Sequence, residues 1–256
     1  DETVDAVYVP LPAALHAEWT IASALAGKHV LTEKPFTSNA AAAQDVADRT
    51  SGADVVVMEA YHTHYHPAVA RLKEIIASGE IGTVTSAKAT FHNPHPPSRD
   101  IRWNLALGGG TLLDLGYYPV RMLTELFGEE PEIASAWAAM HGDIDRHVKA
   151  ELAFPGGVRG QVDSSMWAPR MLGASLRIVG TEGSIAMPFP YHPQFRKIIR
   201  VRGRDGKRVE RVSARSTYSF QLEAFRDTVR GTRENETDVA AAVFNDTATT
   251  EIYTAA

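Results

Sequence analysis

The chain opens on an apolar run, Val4-Asp5-Ala6-Val7-Tyr8-Val9, which Pro10-Leu11-Pro12 stops. A short β-branched run bounded by prolines reads as a buried strand. From Ala13 to Gly27, Leu15, Trp19, Ala22 and Leu25 recur at close to helical spacing, with Gly27 placed as a cap. A second strand at His29 to Thr32, an alanine-rich helix from Ala40 to Arg49 and a third strand at Asp54 to Met58 follow. Strand, helix, strand, helix, strand is the order of a parallel sheet wound by right-handed crossovers. His66-Pro67 then starts a helix whose Val69, Leu72, Ile75 and Ile76 share a face, and Gly79-Glu80-Ile81-Gly82 ends it.

Beyond that helix the period changes. Val84 to Phe91 alternates, Asn93 to Ser98 is a proline-rich loop suited to lining a cleft, and Gly108-Gly109-Gly110 leads into an apolar helix from about Thr111 to Phe127. Strand-like runs at 133–139, 147–154, 158–166, 175–179 and 184–187, separated by turns such as Pro155-Gly156-Gly157, predict a mainly antiparallel sheet. The break between the two patterns falls near Glu59 to Pro67. Eight Arg or Lys residues between Phe195 and Val212 surround Asp205-Gly206, the signal of a two-residue hairpin. Aromatics for base stacking are sparse there, so the arginines read as a solvated face. Tyr218 to Arg230 reads as a helix with Phe220, Leu222, Phe225 and Val229 inward. The stretch from Phe244 to Thr254 continues no earlier period and resembles a translated sequencing adapter. A helix breaking off near Val243 and a non-native tail, 244–256, that packs poorly are expected.

Composition narrows the function classes. A chain of 256 residues with 44% hydrophobic and 22% charged positions is that of a globular protein able to bury a large core. Zero cysteines exclude disulfides, zinc ribbons and thiol nucleophiles and suit a reducing compartment, which points to the cytoplasm. A formal charge of −5 gives no global attraction to nucleic acid or to an anionic membrane, and no apolar run reaches membrane-spanning length. A small molecule is the expected partner.

Three groups could carry chemistry. Lys34, in Glu33-Lys34-Pro35, stands at the carboxyl end of a predicted strand, where open α/β sheets hold ligands. Asp114 and Tyr118 are four apart on the helix after the triple glycine and share a face, with Leu112, Leu113 and Leu115 toward the core. Capping by Asp114 and packing by Tyr118 would suit the same spacing. A phenol ionises near pH 10, so a neighbour such as Lys34 would be needed to bring it toward neutrality. His62, His64 and His66 alternate, which on an extended segment would share a face. Without a nearby cysteine, and with a helix starting at Pro67, they read as the floor of a cleft and a helix entry, with no metal. No stretch satisfies G-x-G-x-x-G, and the serine-nucleophile elbow is absent.

Taken in order, Val4 to Pro12 with Leu15-His16-Ala17-Glu18-Trp19, Glu33-Lys34-Pro35, Met58-Glu59-Ala60-Tyr61-His62, Tyr65-His66-Pro67, Ser78 to Gly82 and Gly108 to Pro119 resemble the glucose-fructose oxidoreductase and inositol dehydrogenase family, Gfo/Idh/MocA, near its dihydrodiol and xylose dehydrogenase branch. The resemblance implies an α/β fold: a partial Rossmann parallel sheet over 1–62, then an α+β domain over 63–243 with a large, mainly antiparallel open sheet. It implies an NAD(P)-dependent oxidoreductase moving hydride between nicotinamide and a CH–OH or C=O group of a sugar, polyol or diol. Lys34, Asp114 and Tyr118 would be catalytic, with Lys34 lowering the pKa of Tyr118. Pro10, Leu11, Pro12, His16, Glu33, Lys34 and Pro35 would face NADP or NAD, and Lys34, His62, Arg102, Trp103 and Tyr118 a carbohydrate-like substrate. The second-domain sheet would form a homodimer or higher homo-oligomer. Glycoside cleavage through transient oxidation, or an inactive binding module, are the alternatives. Two departures stand out: Ala13 replaces the family's usual asparagine, and the chain begins where the family's first domain is about half built, roughly 60 residues in. Weak NAD(P) binding by this chain is the expectation that follows.

Overall fold

The three strands β1 (Ala6–Val9), β2 (His29–Glu33) and β3 (Val57–Ala60) lie side by side in that order in a computed structural model that describes residues 1–128, 131–168 and 172–256. Both pairings are parallel, Ala6 opposite His29 and Val30 opposite Val57. Each crossover is a helix, α1 (Ala13–Leu25) and then α2 (Ala40–Thr50). Val9, Ile21, Val30, Phe36 and Val46 fill the layer between that side of the sheet and its helices. The third strand begins later than its apolar run, because β2 registers Val30 on Val57 and leaves Asp54 and Val55 in the turn. That register draws Glu59 into the sheet, fully buried.

Across the hinge, α3 (Pro67–Ala77) is entered by His66, whose ring accepts from the Ala68 amide. Eight strands follow: β4 (Val84–His92), β5 (Glu132–His141), β6 (Ile144–Ala153), β7 (Arg159–Ser165), β8 (Gly173–Gly180), β9 (Ser184–Pro188), β10 (Ile198–Gly203) and β11 (Gly206–Arg211). They form one sheet in the order β11-β10-β9-β8-β4-β7-β6-β5, antiparallel except where β4 meets β7. A turn of π-helix, Leu112–Gly116, runs into α4 (Tyr117–Phe127). Leu72, Ile75, Val120 and Leu123 from α3 and α4 meet Ala89, Val162, Leu176 and Ile185 of the sheet in the main core. Burying a side chain of Leu or Ile size contributes roughly 1.5–3 kcal/mol each, so this layer fixes where α4 can sit.

Two expectations for the last helices do not hold. In α5 (Thr217–Val229) the buried residues are Thr217, Gln221, Ala224 and Thr228, while Leu222 is 56% exposed. Ala224 is small enough to lie against Leu31, Met58 and Ala60 of the parallel sheet, with Phe220 and Phe225 at its flanks. The chain after Val243 also does not break off: α6 runs Val239–Ala255 and buries Asn245, Ala248, Thr249 and Ile252. Asp246 accepts from the amide and hydroxyl of Thr37, at 2.8 and 2.7 Å, and Thr250 accepts from the Ala40 amide. Thr247, Thr249 and Thr250 donate to carbonyls four residues back, which lets so polar a segment stay helical. No helix among the described residues is long and apolar enough to cross a membrane.

Candidate active site

The carboxyl end of β2 turns at Glu33-Lys34-Pro35, and the Lys34-Pro35 peptide is cis. Lys34 extends its ammonium to the π turn of the second unit, where it donates to the Asp114 carbonyl at 2.8 Å and to Oδ1 at 3.4 Å. Arg102 takes the other carboxylate oxygen, Nε to Oδ2 at 2.6 Å. Burial pushes the Asp114 pKa up, but Lys34 and then Arg102 outweigh it and hold the group below its ordinary value. Asp114 is therefore a carboxylate clamped between two cations. Leu113, expected in the core, is half-buried beside this cleft, because the wider π turn rotates the helix surface.

Tyr118 lies one turn on, with the Lys34 ammonium 4.6 Å above its ring centroid and its hydroxyl 3.1 Å from His62 Nε2. Here the structure corrects the expected role of the lysine. The ammonium bonds Asp114 and not the phenol, and burial, then Tyr218, Glu33 and Asp114, hold the Tyr118 pKa well above its usual value. At neutral pH Tyr118 therefore keeps its proton.

The remaining expected residues separate into two groups. Leu11, Pro12, Lys34, Pro35, Arg102 and Asp114 line one pocket of about 90 Å³, completed by Gly108 and Gly109. His16 also lines it, at 1% exposure, its Nδ1 2.8 Å from the Pro35 carbonyl and its Nε2 2.6 Å from that of Leu11. It braces the two loops and has no ring nitrogen left for a ligand. Glu33 accepts from the Tyr8 hydroxyl at 2.7 Å, and neither it nor Pro10 lines the pocket. Trp103 packs with Leu115, Ile144 and Met166 and edge-on to His141, away from the lysine. The three alternating histidines diverge: His62 turns to Tyr118, His64 bridges Glu125 and Glu236, and His66 caps α3. Among the described residues no group of three His, Asp or Glu side chains could hold a metal.

Several residues that the motifs did not indicate gather around His62 and Tyr118. The His62 ring is 4.3 Å from Tyr218 and 5.0 Å from His192, and Phe91 stands edge-on to Tyr118. Burial, then Lys34, lowers the His192 pKa to about 4, so it is neutral at working pH. One signal was available: Tyr191-His192-Pro193 repeats the tripeptide Tyr65-His66-Pro67 inside a proline-rich loop. Asp145 is the other omission; it accepts from the Leu112 amide at 2.7 Å and so holds the start of the π turn.

A lysine at a parallel strand's carboxyl end, a flat slot beneath it and glycines admitting close approach fit the nicotinamide end of a dinucleotide. At Gly108 an added Cβ would come 3.0 Å from that of Ala13, so this wall of the slot tolerates little. Residues 1–61 match the oxidoreductase family with an NAD-binding Rossmann fold, and residues 69–186 match the GFO/IDH/MocA C-terminal domain. The chain belongs to the Gfo/Idh/MocA family of oxidoreductases.

Within this family it is 36% identical over 234 residues to a dTDP-3,4-didehydro-2,6-dideoxy-alpha-D-glucose 3-reductase of Streptomyces violaceoruber, covering 89% of this chain and 67% of that one. It is also 36% identical over 170 residues to the trans-1,2-dihydrobenzene-1,2-diol dehydrogenase of Mus musculus, covering 65% and 50%. The crystal structure of KijD10, a 3-ketoreductase from Actinomadura kijaniata in complex with NADP and TDP-benzene, superposes with a TM-score of 0.91 at 27% identity, over 100% of this chain and 79% of that one. The Gfo/Idh/MocA assignment makes this an oxidoreductase that uses NAD(P), with an NAD-binding Rossmann-type parallel sheet followed by the large mixed sheet.

Proposed function

We propose that the protein interconverts a carbonyl and a secondary alcohol on a sugar or a related cyclic diol, with Tyr118 as the proton donor in the reductive direction. The observation that carries this reading is Lys34, which joins Asp114 and overlies Tyr118 at the rim of the slot for nicotinamide. When bound, the nicotinamide exchanges hydride with the substrate carbon. Lys34 polarises the substrate oxygen, and Asp114 with Arg102 keeps the ammonium placed. The Tyr118 O–H bond breaks as the new O–H bond forms on the substrate, and the phenolate is reprotonated from solvent. A phenol held above its usual pKa can still protonate the alkoxide that hydride addition leaves, because an alkoxide is a stronger base than a phenolate. Tyr218, Phe91 and His192 supply apolar ring faces against which a sugar ring can stack.

The relatives named above point to a nucleotide-linked keto-sugar or a cyclic diol. A cytoplasmic location belongs to the same reading, supported by a cysteine-free sequence. So does a homo-oligomer through the second sheet, supported by the half-exposed Trp137 and Met140 of β5. The test is NADPH and NADH consumption, at millimolar cofactor, across a panel of nucleotide-linked keto-sugars, free aldoses and cyclic diols. Turnover confined to sugars or diols is expected. Release of a leaving group without net change in cofactor would instead indicate glycoside cleavage, and inertness toward the whole panel would reject the assignment.

A further inference from the structure

We propose that His62 is a positioning residue for Tyr118: its Nε2–H donates to the phenol oxygen, which aims the phenol's own hydrogen at the substrate and holds the phenolate left after transfer. The catalytic half of this rests on the function proposed above; the hydrogen-bond polarity does not. Both partners are buried, His62 at 1% and Tyr118 at 6% exposure, and only 3.1 Å separates Nε2 from the hydroxyl. Two tautomers could make that bond. If the phenol donated, Nδ1 would carry the ring proton, and Nδ1 is buried with no protein partner among the described residues. An orphaned buried N–H costs its full desolvation, whereas the opposite tautomer leaves only a bare lone pair there. The same choice decides the chemistry, because a phenol has one hydrogen, and one given to His62 could not reach a substrate.

The surroundings keep the imidazole neutral, with a single N–H to give. Lys34, His192, Tyr118 and Tyr218 face it, and burial, then His192 and Lys34, lower its pKa well below the ordinary value. In reduction the phenol O–H bond breaks, the substrate O–H bond forms, and the phenolate keeps the His62 hydrogen bond, now charge-assisted, without His62 changing its protonation.

Histidine-nitrogen NMR on isotopically labelled protein, without ligand, reads the tautomer directly. Protonated Nε2 and bare Nδ1 are expected unchanged from about neutral pH to pH about 9. A proton on Nδ1, or an imidazolium in that range, overturns the proposal. Two variants test the consequence. His62→Leu should lower kcat about 10- to 100-fold with KM within a few-fold, and raise the Tyr118 ionisation seen by ultraviolet titration. His62→Gln retains a donor and should recover most of the rate. Equal losses in folded Leu and Gln variants, matched by thermal melting, would defeat the role. If the parent turns over nothing, the proposed function fails, while the tautomer and the Tyr118 ionisation still decide the hydrogen bond.

Discussion

Lys34 is held by what lies around it and not by its own flexibility. Its side chain spans the gap between the parallel sheet and the π turn, and losing it would leave the Asp114 carboxylate paired with Arg102 alone. Tyr118 is held differently, by burial and by the rings of Phe91 and Tyr191. A Tyr118→Phe substitution keeps that packing and removes only the donor. We expect kcat to fall by about 10²- to 10⁴-fold with KM little changed, measured on the substrate selected by the panel above. A variant retaining half its turnover would remove Tyr118 from the mechanism. These residues were legible because each lies in a local motif, Glu33-Lys34-Pro35 or the run after Gly110. Their electrostatics were not legible. The ammonium was expected at the phenol and is found on Asp114, because the pairing depends on how far one unit stands from the other. His192 and Tyr218 enter from distant loops and elements, and no spacing rule connects them to Tyr118.

At the scale of elements, the start of the π turn decides whether Asp114 and Tyr118 are presented at all. Gly110 sits at φ +121° in a conformation that side chains rarely adopt, and an added Cβ would stand 2.1 Å from Asp145 Oδ1. Asp145 cannot simply swing away, since its other oxygen holds the Leu112 amide. Gly110→Ala should therefore cost about 1–3 kcal/mol in stability, or about 2–4 °C in Tm per kcal/mol for a chain of this size. It should also lower activity beyond that, by displacing the turn that carries Asp114. Thermal melts and initial rates at a temperature where both proteins are folded separate the two effects; an unchanged Tm would contradict the geometry. Periodicity read most elements well where one face meets one layer. It failed for α5, where a small residue, Ala224, makes the closest approach and Leu222 is left in solvent. It failed again for α6, where threonines bonding to their own helix and an aspartate bonding Thr37 replace an apolar stripe.

The whole molecule is closed by a return of the chain that no local pattern announces. After α5, Asn235 donates to the Val57 carbonyl, Thr237 donates to that of Glu59, and the Glu59 amide donates to Thr237. The segment thus covers the outer edge of β3, which would otherwise offer unpaired backbone groups. His64, in the hinge between the two sheets, ties this segment to the second unit by contacting Glu236 at 3.1 Å and Glu125 of α4 at 2.7 Å, while Lys73 of α3 reaches Glu125 at 3.0 Å. Burial alone would raise the Glu125 pKa; the His64 bond and charge, then Lys73 and Arg121, bring it down to about 2. A carboxyl with a folded pKa below its unfolded value of 4.5 contributes stability above the unfolded value and loses it as pH falls through the folded one. Glu125→Gln should melt well below the parent at pH 7, and the gap should close progressively between pH about 4.5 and about 2, where the parent's carboxyl also becomes neutral. Melting both proteins across that range checks the sign as well as the size. A gap that stayed constant with pH would mean that the hinge is held by packing around α4 and not by the charge on Glu125.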